Sequence, residues 1–287
     1  MQNPDQTEYY SDLPLPVEPA IAPEPPTPNN PPWGSLEGIA LWVASILAIL
    51  IIPTLFLLPY LATIQPPITE SEQLVEFAKS DPTSVFLQIV AIIPAHLLTI
   101  LLAWLIVTKR RKYPFKEMLG WQTGGFRWWH YLIVLGLFFV LAAVVGSLVP
   151  EQENDLIRML QSSRSAVYII AFVATFTAPF VEEVVYRGVV YSAFQRALGV
   201  PAAFALVTFL FAVIHVPQYW PSYSTIFLLG VLSIILTAIR VKTNNLLPCI
   251  ILHTLFNGLQ SIFLLAEPVL PKPEVQQQAA LILYLLK

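Results

Sequence analysis

Seven long apolar stretches dominate this 287-residue chain, at roughly 39–61, 84–107, 128–149, 166–196, 201–217, 223–240 and 246–266. A segment of about 20 apolar residues is what a helix needs to cross the hydrocarbon core of a bilayer. Backbone polar groups in lipid must be satisfied within the chain, so such segments become helices. The expected fold is therefore all-α: a polytopic transmembrane helix bundle with about seven or eight spans. Composition agrees, with 56% hydrophobic and only 11% charged residues. Soluble domains carry about 25% charged residues. The net charge of −3 offers no basic surface for nucleic acid, so no nucleic-acid partner is expected.

The two ends differ from the middle. Residues 1–34 hold 10 of the 26 prolines, five carboxylates and no Lys or Arg. They lack the basic and apolar regions of a secretory signal and have too little apolar surface to fold, so residues 1–36 are expected to form a disordered, Pro-rich cytoplasmic tail. Residues 37–150 then form a set of N-terminal transmembrane helices, 151–270 a transmembrane core that holds the candidate site, and 271–287 a short C-terminal apolar segment. Span four is longer than one crossing requires and is expected to tilt, or to break at Pro179. Basic residues concentrate in alternate loops: Lys109, Arg110, Arg111, Lys112, Lys116 and Arg127, then Arg196, then Arg240 and Lys242. Basic loops stay cytoplasmic, which puts the N-terminus inside. Trp33, Trp121, Trp128, Trp129 and Trp220 fall near span ends, where interface anchors belong. Cys249 is the only cysteine, so no internal disulfide can form.

Against this apolar background a few polar residues stand out. Span four carries Glu182, Glu183 and Arg187 in VEEVVYRG; span five ends with His215 in FAVIHVP; span seven carries His253 and Asn257 in HTLFN. A charge at mid-bilayer costs about 2.5–3.5 kcal/mol on insertion scales. Glu183 and Arg187 are four apart with the acid N-terminal, the spacing of a structural ion pair. Glu182 points about 100° away on an ideal helix and has no cation on its own face. It needs a partner from another helix, and the histidines are the candidates. His253 and Asn257 share a helix face. His96, in span two, reads as structural.

These side chains suit hydrolysis of an amide. A carboxylate removed from bulk water can take a proton from water near neutral pH. An imidazole beside it can hold that water, and a second imidazole with an amide N–H can stabilise an oxyanion. Other hydrolytic designs are missing. The sequence has no H-E-x-x-H, no G-x-S-x-G elbow and no Asp in any span. Two His with a Glu could also bind zinc, a minor alternative to a site with no metal and no cofactor.

The three motifs together resemble the CPBP family of CAAX proteases and bacteriocin-processing enzymes, the type II CAAX prenyl endopeptidases. Glu182 to Arg187 matches E-E-x-x-x-R, Phe211 to His215 matches F-x-x-x-H, and His253 to Asn257 matches H-x-x-x-N; the resemblance covers about residues 165–265. It implies an intramembrane glutamic endopeptidase without metal, in which Glu182 activates water with His215, His253 and Asn257 form the oxyanion site, and Glu183 and Arg187 support it. The expected partners are the lipid bilayer and a membrane-tethered protein or peptide substrate, in the plasma (inner) membrane of a bacterium-like cell. Two other readings stay open: a non-catalytic membrane scaffold or regulator of the bacteriocin-immunity type, and a proton-coupled carrier. The carrier reading lacks the internal repeats such folds usually show.

Overall fold

A computed structural model describes residues 25–150 and 152–266. Residues 1–24, most of the expected tail, and 267–287, which include the C-terminal apolar stretch, lie outside the described residues. Among the described residues ten helices follow in order: α1 (Ser35–Leu61), α2 (Ser71–Ser80), α3 (Pro82–Val107), α4 (Phe115–Leu119), α5 (Trp128–Leu148), α6 (Asp155–Ser162), α7 (Arg164–Leu198), α8 (Val200–Tyr219), α9 (Tyr223–Thr243) and α10 (Leu247–Ala266). Seven of them, α1, α3, α5, α7, α8, α9 and α10, are long and apolar enough to cross a membrane, each within four residues of the stretch expected from hydropathy. The protein is an all-helical integral membrane bundle.

Helix starts follow capping chemistry. The Asp81 carboxylate accepts from the Ser84 N–H ahead of α3, with Pro82 at the first helical position. Asn154 and Ser163 cap α6 and α7 in the same way, satisfying donors that a helix start leaves free. Large apolar side chains such as Leu36, Leu137 and Phe209 are exposed, as expected of a surface whose solvent is lipid.

The bundle is tightest on the side of the basic loops. Val184 to Ala193, the C-terminal part of α7, is buried without interruption. The loop after α4 locks onto the turn between α9 and α10: Gly120 C=O accepts from the Leu246 N–H at 2.8 Å. Gly124 has φ +55°, and a Cβ there would sit 2.6 Å from the Thr243 carbonyl oxygen, so this contact requires glycine.

Residues 25–34, part of the segment expected to be disordered, pack across this same side. Trp33 is fully buried and donates its indole N–H to the Val189 carbonyl at 3.0 Å, so it is a packing residue and not the interface anchor its position suggested. Arg196 donates to the Pro31 carbonyl, and Lys109 pairs with Glu37. Arg240 is also buried. It donates to the carbonyls of Arg187 and Pro28, to Asn29 Oδ1 and to Ser192 Oγ. A residue that hydropathy assigns to a loop therefore clamps the N-terminal segment to α7.

Candidate active site

Span four does not break at one point. Two π-helical segments, Val173–Thr177 and Val184–Val190, flank a short α-helical piece, Ala178–Glu183, that carries Pro179 and both glutamates. The first wide turn leaves one carbonyl in need of a donor. Ala178 N–H bonds to Val173 C=O, five residues back. The same register would pair Ala174 C=O with residue 179, but proline has no N–H. Asn257 fills that gap from α10, donating Nδ2–H to the Ala174 carbonyl at 2.9 Å. Wide turns of this kind are rare and favour functional sites.

Glu183 is fully buried. Its Oε1 accepts from Arg187 Nη1 at 3.0 Å and from His253 Nδ1 at 2.9 Å. Arg187 spends its other donors on α9, reaching Ser233 Oγ at 2.7 Å, the Ser233 carbonyl and Thr237 Oγ1. Its guanidinium lies 4.5 Å from the centre of the Phe211 ring. The pair is thus more than a self-neutralising brace within one helix. It ties α7 to α8 and α9 and holds the imidazole of His253.

That hold sets the chemistry of His253. A carboxylate only accepts, so Nδ1 carries the proton, and Nε2 faces the other way. Nε2 is 3.8 Å from Glu182 Oε2, beyond hydrogen-bond length and in the range a water can bridge. Glu182 has a side chain 24% exposed and lines a cavity of about 1510 Å³. His96, His215, His253 and Asn257 line the same cavity. His215 donates Nδ1–H to the Phe211 carbonyl at 2.7 Å and makes no ion-pair contact with Glu182. Among the described residues, the imidazole within 4 Å of Glu182 is that of His253. His96 bonds Thr177 Oγ1 at 2.9 Å, inside the first π segment, and also lines the cavity.

All six motif residues thus gather around one cavity end, four lining it and the Glu183–Arg187 pair buried behind. Sequence reasoning missed Ser233 and Thr237, which as hydroxyls in an apolar helix gave only a weak signal. The role of Phe211 was visible only as a motif letter; its ring meets Arg187, His215 and His253. Among the described residues no three His, Cys, Asp or Glu side chains converge as a metal-ligand set.

A family model described as type II CAAX prenyl endopeptidase Rce1-like matches residues 164–259. That segment, about a third of the chain, is similar to that family. It begins with α7 and ends two residues after Asn257, so the matched region contains every candidate site residue. The match supports a membrane peptidase of the CAAX-protease type. No curated protein and no solved structure gives a match to the chain.

Proposed function

We propose that the protein is an intramembrane endopeptidase that hydrolyses a peptide bond of a membrane-associated protein or peptide with a water activated by Glu182. One observation carries this reading. Glu182, unlike the buried Glu183 beside it, has no Arg or Lys bonded to it among the described residues, faces the cavity, and lies across a 3.8 Å gap from an imidazole nitrogen. Glu182 takes a proton from water held between its carboxylate and His253 Nε2. The hydroxide attacks the carbonyl carbon, and the C–N bond breaks as the proton passes from Glu182 to the leaving amine. Glu183 is a positioning residue that fixes the ring of His253. Asn257 keeps one amide hydrogen free of its bond to Ala174, and this reading assigns that hydrogen to the charge that develops on the carbonyl oxygen; His215, whose Nδ1–H is spent on the Phe211 carbonyl, lines the same cavity. No metal takes part in this scheme.

The test uses Glu182→Gln, which keeps shape and removes the base. Termini of membrane proteins are compared by mass spectrometry between cells with the native protein and cells with the variant. Cleavage products are expected to fall by about 10²–10⁴-fold. Equal product levels at equal protein levels would sink the proposal. Chelator treatment is expected to change nothing, and loss of cleavage under chelator would overturn the metal-free scheme.

A further inference from the structure

The two π segments share a feature that leads to a residue outside the motifs. Where a helix returns from five-residue to four-residue hydrogen bonding, the backbone donors pass over one carbonyl. At the first segment that carbonyl is Ala174, and Asn257 of α10 serves it. At the second, Tyr191 N–H bonds to Tyr186 C=O, five residues back, and the chain is α-helical from Tyr191 onward. The carbonyl passed over there is that of Arg187. Its donor comes from α9: Arg240 Nε–H, at 3.2 Å.

Arg240 is fully buried, and the acceptors its guanidinium meets are neutral: carbonyls, an amide and a hydroxyl. None of the ion pairs among the described residues includes it. The parts of the group do different work. Nη1 and Nη2 reach Asn29 Oδ1 at 3.1 Å and the Pro28 carbonyl and Ser192 Oγ at 3.0 Å each. These bonds aim the fork and tie down the N-terminal segment. Nε meets the π turn itself. Without that bond Arg187 C=O would lie in a buried run with no donor. The helix would answer by giving Tyr191 N–H back to Arg187 C=O, which moves the π turn by one residue.

Arg187 stands at the point where that shift would act. Its side chain depends on place, because it reaches Ser233 and Thr237 on α9 and Glu183 on its own helix. Glu183 in turn accepts from His253 Nδ1. We infer that Arg240 is a positioning residue for the active site: it supplies the donor that the second π turn lacks, and so fixes Arg187, Glu183 and the imidazole of His253 in sequence. This deepens the peptidase reading and rests on it for the effect on cleavage. The effect on His253 is measurable without cleavage.

Two substitutions separate the bond to α7 from the clamp on the N-terminal segment. Glutamine carries its amide nitrogen at the same place along the side chain as arginine Nε. Arg240→Gln therefore keeps a donor for Arg187 C=O and loses the fork; Arg240→Met loses both. Lys109→Met is the control, since it removes the ion pair with Glu37 on the same side of the bundle and leaves both π turns alone. The readout is the imidazole N–H resonance of His253 in the full chain, labelled with ¹⁵N-histidine and held in mild micelles. The chain has four histidines, so the spectrum is simple, and His253→Gln assigns the signal. The resonance is expected to keep its native position in Arg240→Gln and Lys109→Met, and to shift or vanish in Arg240→Met. A native resonance in Arg240→Met overturns the inference. So does an equal change in Lys109→Met, which would mean general loosening. If Arg240→Met fails to fold, Arg240→Gln decides alone: a native resonance supports the inference, and loss of the resonance or of the fold overturns it. Cleavage is expected to follow the resonance. It should be largely kept in Arg240→Gln and fall by about 10–100-fold in Arg240→Met, the range for outer-shell partners of metal-bound imidazoles. The resonance needs no catalysis, so it stands or falls independently of Glu182→Gln.

Discussion

Glu183 performs two tasks at once, and a double-mutant cycle with Arg187 separates them. Both side chains are completely buried and bonded at 3.0 Å. Removing one partner of a buried pair leaves an uncompensated charge and costs about 3–5 kcal/mol. Arg187→Met should lose about that much, and so should Glu183→Met. Replacing both with apolar residues of similar length removes both desolvation costs, and such replacements are commonly neutral. Glu183→Met/Arg187→Met should therefore regain much of the loss, with a coupling of about 3 kcal/mol. It will not regain all of it. His253 Nδ1–H loses its acceptor in a site 3% exposed, a cost of about 1–3 kcal/mol. Activity should not recover, because the ring of His253 is then free to turn. Loss of the group that orients a catalytic imidazole or a metal-bound one lowers activity by about 10–10⁴-fold in other systems. The assay pairs denaturant unfolding in mild micelles with the cleavage readout. A double variant that is stable and fully active would refute the claim that Glu183 positions His253, and would reduce the pair to a brace.

Two further outcomes follow from the packing. Trp33→Ala removes a fully buried indole and its bond to Val189, and should lower stability by about 3–5 kcal/mol; a change below 1 kcal/mol in a melting assay would mean that the N-terminal segment is not part of the folded unit. Gly124→Ala should be strongly destabilising because of its positive φ and the 2.6 Å approach to Thr243, whereas Gly136→Ala, with open space around its Cβ position, should be neutral or stabilising by up to about 1 kcal/mol. Equal melting temperatures for the two variants would contradict the argument that the loop needs glycine.

The spans were legible in the sequence, and the candidate site stood out there, for the same reason: bilayer insertion penalises polarity, so apolar length marks the helices and each polar exception marks a candidate. What stayed hidden depends on contacts that composition averages away. The tail looks disordered as a 34-residue whole, but Trp33 and the carbonyls of Pro28 and Pro31 bind particular partners. Arg240 counts as one more cytoplasmic charge until its acceptors are seen. The approach of His253 to Glu182 was also out of reach. An ideal helix of 3.6 residues per turn fixes which way Glu182 points relative to its own helix, and the π segments on either side of it change that direction relative to α8 and α10.

The origin of that distortion gives a last test. Pro179 cannot donate to Ala174 C=O, and Asn257 does so from α10. If this substitution of a side-chain amide for a missing backbone amide is the structural reason for Asn257, its loss should be repairable at residue 179. Asn257→Ala alone leaves a carbonyl without its donor inside the bundle, which should cost about 1–3 kcal/mol. Pro179→Ala restores an N–H five residues after Ala174, in the register already used by Ala178 and Val173. In Pro179→Ala/Asn257→Ala this N–H can take the place of the amide, so the double variant should be more stable than the sum of the singles by about 1 kcal/mol. Cleavage separates structure from chemistry in the same set of proteins. If Asn257 also serves the oxyanion, the repaired double variant folds well and still cleaves poorly. If unfolding shows strict additivity, Pro179 is not the reason the helix is held by Asn257, and the π turn must have another cause.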